Sequence, residues 1–302
     1  MGESLDSTVL AGELVPVSDV SSTSDIPLIT RINTLVEKRN FKLPVFNAVA
    51  LEIHEAITGD ADIAVVKELI LKDQALASEI LRMANSALFS GLTKLESIQQ
   101  ALVRLGTAQV LSVVMIAAQK QAFVAKHPYL VTAMKDLWCH ATASAAGCRW
   151  VAEKYNYVGI REQAFLAGLL HDLGSLVVLR VLDEVSEMDG GLMLTDTLMD
   201  ELITTLHADY GASVMQSWEL PSVYCDVARL HHDSHSEFGE NEVLLLIVRL
   251  VDNLNKKLGI GCVRDDSLVL EATPEAQALG IKPVHLAELE IFLEEMNRSI
   301  ET

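Results

Sequence analysis

The segment GLLHDLGSLVVL, residues 168–179, sets His171 beside Asp172 in an otherwise apolar run. An ionised carboxylate next to an imidazole costs free energy to bury unless each finds a partner. The same residue types recur through the second half of the chain, as His140, His207, His231, His232, Asp233, His235 and Asp252. His140 falls mid-way along an amphipathic stretch, His231 and His232 end VYCDVARLHH, and Asp252 stands in the largely apolar LLLIVRLVDNL. Imidazole nitrogens and carboxylate oxygens together suit a borderline divalent ion such as Mn, Fe, Zn or Co. One such ion, or two about 3.5–4 Å apart, makes bound water nucleophilic near neutral pH and clamps a phosphoryl group.

A bare His-Asp pair has little specificity. With nine histidines and eighteen aspartates it arises by chance in about one of every two such chains, and His232-Asp233 is a second copy. The joint order His140…His171-Asp172…Asp252 is more specific, because each member sits in a segment that otherwise wants to be apolar. Three readings follow: a metal site, a set of core polar groups bonded to one another, or the remnant of a site.

The elements that must position these groups all read as helices. LPVFNAVALEIHEAI spaces Phe46, Val49, Ile53 and Ile57 by three and four residues, with Pro44 suited to a first turn. DADIAVVKELILKD opens on a capping Asp. QALASEILRMANSALF ends before Gly91, SIQQALVRLG ends at Gly106, and TAQVLSVVMIAAQKQAF begins at Thr107. The run breaks at His127-Pro128, and further helices are expected over 131–155, 160–182, 196–217, 221–232, 240–258 and 283–299. Residues 262–282 read as a surface loop. No strand, hairpin or fixed-period repeat is visible. The fold expected is all-α, with a tail over 1–25, an N-terminal helical bundle over 26–125 and a second bundle with a C-terminal helix over 126–302. Bundle interiors bring side chains from facing helices together and commonly hold metals. Asn85-Ser86 reads as a helix-packing hydrogen bond or a contact that keeps the bundles in register. Trp138, Trp150 and Trp218 read as core anchors.

Composition narrows the function classes. Lys+Arg number 23 against 42 Asp+Glu, a net charge of −19. That excess repels phosphate backbones and anionic lipid surfaces, so neither nucleic acid nor membrane is an expected partner. No uninterrupted apolar run reaches the roughly 18 residues of a membrane span, and the acidic N-terminus lacks a signal-peptide layout. A cytoplasmic protein is expected. Cys139, Cys148, Cys225 and Cys262 show no CxxC spacing and read as small buried hydrophobes.

The chain also resembles a known family. ILRMANSALF (80–89), SIQQALVRLG (97–106), LWCHATASA (137–145), FLAGLLHDLGSLVVL (165–179), HADYGASVMQSWELP (207–221) and ARLHH (228–232) are together similar to HDOD proteins. These are HD-related output domains of bacterial signalling, a branch of the HD phosphohydrolase superfamily. The resemblance spans about residues 40–260. It implies an HD-like second bundle in which His140, His171, Asp172 and Asp252 are metal ligands. His207, His231 and His232 fall near positions that bind a second metal or a substrate phosphate in the HD-GYP branch. It further implies a divalent ion (Fe, Mn, Zn or Mg), a signalling protein partner and a nucleotide ligand. HD hydrolases often continue HDIGK, whereas this chain reads HDLGS, with Ser175 in the lysine's place and no GYP element. A neutral hydroxyl cannot replace a lysine's charge on a phosphoryl group. The resemblance therefore points to a stand-alone, non-catalytic signalling module that retains its His/Asp cluster. The alternative is a metal-dependent phosphohydrolase acting on a nucleotide or cyclic dinucleotide.

Overall fold

A computed structural model describes residues 28–38, 48–86, 89, 93–120, 122–188, 193–233 and 242–301. The expected tail, Pro44, Phe46 and Gly91 lie outside the described residues. In chain order the helices are α1 (Leu28–Lys38), α2 (Ala48–Thr58), α3 (Ile63–Leu71), α4 (Gln74–Ala84), α5 (Ile98–Lys120), α6 (Pro128–Lys154) and α7 (Arg161–Leu170). They continue as α8 (Leu173–Met188), α9 (Asp196–Ser217), α10 (Ser222–Leu230), α11 (Glu242–Leu258), α12 (Pro274–Ala278) and α13 (Pro283–Glu301). No strand occurs among the described residues, so the all-α expectation holds.

Local chemistry sets most of the ends. Asp62 accepts from the Ala64 amide at 2.8 Å to start α3, and Asp73 accepts from Leu76 at 3.0 Å to start α4. Thr195 caps α9 through the Leu198 amide at 3.3 Å. Pro128 occupies the first turn of α6. Gly106, at φ +74° and ψ 166°, divides α5 into the two helical runs read from sequence.

Three expectations need correction. Residues 160–182 are not one helix: α7 stops at Leu170, His171 and Asp172 form the turn, and α8 starts at Leu173. The segment 262–282 is not simply a loop, since it contains a single helical turn at Leu270–Ala272 and then α12. Thr273, whose hydroxyl accepts from the Ala276 amide at 3.3 Å, and Pro274 form the missed start signal. Finally, Cys262 is exposed, while Cys139, Cys148 and Cys225 are buried as expected.

Asn85 acts locally. Its Nδ2 donates to the Leu81 and Leu95 carbonyls, both at 2.9 Å, and its Oδ1 accepts from the Leu95 amide at 2.7 Å. It ties the end of α4 to the chain entering α5. Contact between the N-terminal helices and the rest runs elsewhere. The Ser112 hydroxyl on α5 donates to Glu162 on α7 at 2.9 Å, α1 packs on α8, and the Tyr210 hydroxyl donates to Asn33. The turn near residue 125 is held by Asp183, which accepts from the amides of Lys126 (3.0 Å) and His127 (2.8 Å). Trp138, Trp150 and Trp218 pack half-buried against the core, Trp138 edge-on to Phe123 with ring centres 5.1 Å apart.

Two segments, Ile98–Lys120 and Arg161–Met188, are long and apolar enough by composition to cross a membrane, though neither holds an uninterrupted apolar run of that length. Both are packed inside the protein, with 61% and 89% of their most apolar windows buried, and the second is broken at His171-Asp172.

The closest helix crossing places the site. α8 and α9 meet backbone to backbone at Gly174 and Gly211: a Cβ on Gly174 would lie 1.7 Å from the His207 carbonyl oxygen and 2.7 Å from the Gly211 amide nitrogen. Only hydrogen fits there, and that contact brings His207 beside the His171-Asp172 turn. Gly174→Ala must push the helices apart, at a cost of about 3 kcal/mol or more. The expected outcome is a large fall in thermal midpoint or loss of folded protein, checked by thermal denaturation followed by circular dichroism.

Candidate metal centre

Five helices supply the polar cluster. His140 lies mid-way along α6 and His207 within α9, while Asp252 faces inward from α11. His171 closes α7 and His231 closes α10, each with its amide bonded at 3.0 Å to the carbonyl four residues back. The four histidines and Asp252 are between 1% and 7% exposed. Asp172, at the turn, keeps 20% of its side chain accessible. His232 stands exposed at the rim, its ring 4.0 Å from that of His231.

The ring tautomers follow from their partners. A main-chain carbonyl can only accept, so each Nδ1 that contacts one carries the proton. His171 Nδ1–H donates to Gly168 at 2.8 Å, His231 to Ala228 at 2.8 Å and His207 to Ile203 at 2.7 Å. His140 donates to Ile260, 120 positions away, at 3.2 Å. Gly261 makes that reach feasible, because it adopts φ +113° and a Cβ there would stand 3.0 Å from the His140 Cβ. In each neutral ring the Nε2 lone pair is then aimed inward, the arrangement that outer hydrogen bonds impose on metal-binding histidines.

The Nε2 atoms of His140 and His171 are 3.2 Å apart. Two lone pairs at that separation repel unless a proton or a cation stands between them. His140 Nε2 also lies 3.5 Å from Asp172 Oδ2 and 3.5 Å from Asp252 Oδ1. The other carboxylate oxygen of Asp172 faces the opposite way: Oδ1 is 3.4 Å from His231 Nε2 and 3.8 Å from His207 Nε2. The His207 Nε2 atom is buried and completes no hydrogen bond, and the buried His231 Nε2 has only the 3.4 Å ion-pair contact with Asp172. The cluster thus has two halves, His140–His171–Asp172 and Asp172–His207–His231–His232, with donor atoms in each within 4.8 Å of one another. Asp172 belongs to both. Asp252 adjoins the first half through one oxygen, while its other oxygen pairs with Lys256 at 2.5 Å.

Charge favours cation binding. Burial pushes His171 down to about 4, against the pull of Asp172. Burial also opposes the charge of Asp172, but His171, His231 and His140 outweigh it and hold the carboxyl well below its usual range. Asp252 is likewise lowered, with burial overcome by Lys256 and the histidines. For His231, burial is outweighed by Asp172 and Asp252, and the ring is raised. Neutral His171 beside ionised Asp172 and Asp252 is the protonation state that a divalent metal needs, whereas the raised His231 holds its proton more readily beside Asp172.

His140, His171, Asp172, His207, His231, His232 and Asp252 converge here, Asp233 is in neither set of grouped donors, and His235 lies outside the described residues. Sequence reasoning missed Ile260 and Gly261, which orient His140, and Lys256, which holds Asp252. Ser175 is buried on α8 with its hydroxyl unbonded.

The comparisons follow the same lines. A family model described as HDOD domain matches residues 43–234. A Geobacter sulfurreducens structure, an HDOD domain protein with unknown function, aligns with TM-score 0.71 and 23% identity over 91% of this chain and 98% of its own. A Shewanella amazonensis SB2B structure, provisionally described as a metal-dependent phosphohydrolase, aligns with TM-score 0.68 and 21% identity over 90% and 99%. At these identities the likeness concerns the fold. An uncharacterized protein of Treponema pallidum (strain Nichols) is 23% identical over 210 residues, 68% of this chain, and the chain spans about 40% of the length of that curated relative.

The lowered His171 has a consequence for stability. In the unfolded chain it takes a proton at its ordinary value of 6.5, and in the folded protein only near 4. Its contribution is therefore complete above pH 6.5 and is lost as pH falls from 6.5 to about 4, where the unfolded state binds the extra proton. In metal-free protein the stability difference between wild type and His171→Gln should narrow across that window, measured by urea denaturation at stepped pH.

Proposed function

The chain belongs to the HDOD family, and on that premise we propose that it is a regulatory module of bacterial signal transduction, working in the cytoplasm, whose His/Asp cluster holds divalent metal and binds a phosphorylated ligand without turning it over. The observation that carries this reading is the 3.2 Å approach of the His140 and His171 Nε2 atoms, with both Nδ1 protons already committed to carbonyls. A divalent cation between the rings would remove that repulsion, with Asp172 and Asp252, each 3.5 Å from His140 Nε2, completing its donors. The unbonded Nε2 of buried His207, beside His231 and the second oxygen of Asp172, extends the argument to a second ion. Asp172, with one oxygen toward each half, suits a bridge between two metals.

In this reading His140, His171, Asp172 and Asp252 hold the first ion. His207 and His231 hold the second with Asp172, and His232 meets the ligand at the rim. Nitrogen and oxygen donors of this kind fit Mn, Fe or Zn, and Mg less well. Bound divalent metal would supply positive charge for a phosphoryl group and would invert the field of a chain with net charge −19. Ser175 supports binding over turnover: it is buried in α8, at the position where many HD hydrolases place a lysine. A signalling protein is the expected partner.

A second reading, a metal-dependent phosphohydrolase acting on a nucleotide or cyclic dinucleotide, is favoured by one observation. Asp172 keeps 20% of its side chain accessible between the two halves, an opening through which water and a phosphodiester could reach both.

Protein purified without chelators is expected to hold two equivalents of divalent metal by inductively coupled plasma mass spectrometry. Asp172→Ala should lose both, whereas His207→Ala should lose one. Folded protein that takes up no Mn, Fe, Zn or Mg would overturn both readings. Steady release of phosphate or nucleotide from a panel of phosphomonoesters and phosphodiesters would replace the first reading with the second.

A further inference from the structure

An open groove of about 460 Å³ lies where the chain leaves α4 and enters α5. Lys94, Arg104, Gln99 and Gln100 supply its polar walls, and Leu95 and Val103 its apolar ones. No carboxylate lines it among the described residues. Its two cations are also unusual in this acidic chain. Elsewhere Lys72 is taken up by Glu52, Arg82 and Lys120 by Glu79, Lys154 by Glu288 and Lys257 by Glu290. Lys94 and Arg104 form no ion pair with a carboxylate among the described residues. Arg104 is held by neutral acceptors, the main-chain oxygens of Thr93 and of Ala84 at 3.1 Å, and its Nε is buried and unbonded. Its charge is therefore fixed in place without being neutralised. The first turn of α5 holds no acidic residue, so the partial positive charge of that helix end adds to the two cations. Val103 stands 71% exposed.

A positive and partly apolar groove fits an acidic and partly apolar segment, and this chain carries one. Residues 1–27 contain Glu3, Asp6, Glu13, Asp19 and Asp25, and the first lysine or arginine of the chain is Arg31. Glu13 stands inside VLAGELVPV, residues 9–17. The stretch from Leu28 back to Glu13 spans about 50 Å when fully extended, comparable with the width of a compact chain of this length. The other cavity, about 180 Å³ beside the metal centre, is the wrong host. It is lined by His231, His232, Arg249, Asp252, Asn253 and the buried Glu275 of α12, so two carboxylates would repel an acidic segment, and Arg249 already faces Glu275.

We propose that residues 9–17 of this chain dock in the groove at the start of α5, with Glu13 against Lys94 and Arg104 and its apolar neighbours over Val103. Ion pairs near a surface are individually weak, so a free peptide of this sequence would be held loosely. Attachment to the same chain supplies an effective concentration in about the millimolar range, which is enough for a groove with two cations and one exposed valine. An acidic partner segment would have to displace the docked one, which makes the groove a point of competition between the chain and its partner. The inference stands apart from the metal centre and does not depend on its occupancy.

The test uses the full chain at low ionic strength. Amide hydrogen exchange over residues 9–17, read by mass spectrometry, should be about three- to tenfold slower in the wild type than in Lys94→Glu, the protection a millimolar tether gives at a site of submillimolar affinity. Lys94 is exposed, so this variant is expected to keep its fold, which circular dichroism checks. The charge swap Glu13→Lys with Lys94→Glu should restore the protection. Carbodiimide coupling, which joins a carboxylate to an amine in direct contact, should link Lys94 to Glu13. In a mixture of unlabelled and heavy-nitrogen-labelled chains the linked peptides should carry one label each. Linked peptides of mixed label would replace the chain's own segment with that of a second copy and overturn the proposal. Equal exchange in wild type and Lys94→Glu, or no coupling of Lys94 to any acid between residues 3 and 19, would overturn it as well. Protection lost in Lys94→Glu and not regained in the swap would overturn the pairing with Glu13.

Discussion

Four hydrogen bonds from imidazole Nδ1 to main-chain carbonyls govern this molecule's chemistry. Three are made within a turn of the histidine's own backbone: His171 to Gly168, His207 to Ile203 and His231 to Ala228. For His171 and His231 the acceptor lies in the last turn of a helix, where carbonyls lose their intrahelical partners. The ring therefore helps to end the helix and, by the same bond, turns its Nε2 toward the cluster. Helix termination and donor orientation are one interaction. In a cluster built in this way the tautomer and ring plane of each imidazole are fixed in advance.

The same bonds leave a concentration of lone pairs and carboxylate charge inside a helical core. The fold tolerates it by pairing where it can. Lys256 takes one oxygen of Asp252, and the lowered carboxyls of Asp172 and Asp252 are matched to surrounding imidazoles. The residue left over is the pair of facing Nε2 atoms on His140 and His171, together with the unbonded Nε2 atom of His207. Hydrogen bonding alone would have been satisfied by a different tautomer or by fewer histidines. A core of mutually bonded polar groups, one of the readings open from sequence, accounts for the Nδ1 bonds but not for the buried His207 Nε2, which completes no hydrogen bond.

Much of this arrangement is legible in the sequence, and the failures have identifiable causes. Capping residues and periodicity locate the helices well, as in α9, where the expected 196–217 matches Asp196–Ser217. The break at His171-Asp172 is hidden because α7 and α8 are both buried and both apolar, so hydropathy runs unbroken across a turn that contains no proline. Gly174 is the visible trace of it, but its role depends on the backbone of α9, about 35 residues away, which no local pattern discloses. The order His140…His171-Asp172…Asp252 identifies the donors because charged groups in apolar helices stand out. Ile260 does not, since it acts through a carbonyl that every residue possesses. Glu275 does not either, since a glutamate in an acidic chain carries no signal until its burial is known.

That last contrast bears on how the site is completed. The matched family segment stops at residue 234, yet Asp252, Lys256, the Ile260 carbonyl, Gly261 and Glu275 all come from beyond it. The groups at 140, 171, 172, 207, 231 and 232 line one side of the cluster, and the C-terminal segment supplies Asp252 and the wall opposite. It fixes His140 through Ile260, sets the charge of Asp252 through Lys256 and lines the adjoining cavity through Glu275. α13 packs on α6, the helix that carries His140, and Lys257 on α11 pairs with Glu290 on α13 at 2.6 Å. The last helix thus braces both α6 and α11, the two elements between which His140 meets Asp252. Most of the imidazole cluster and the wall beside it are therefore encoded in different parts of the chain, with Asp252 and the Ile260 carbonyl, both from beyond residue 234, reaching from one into the other.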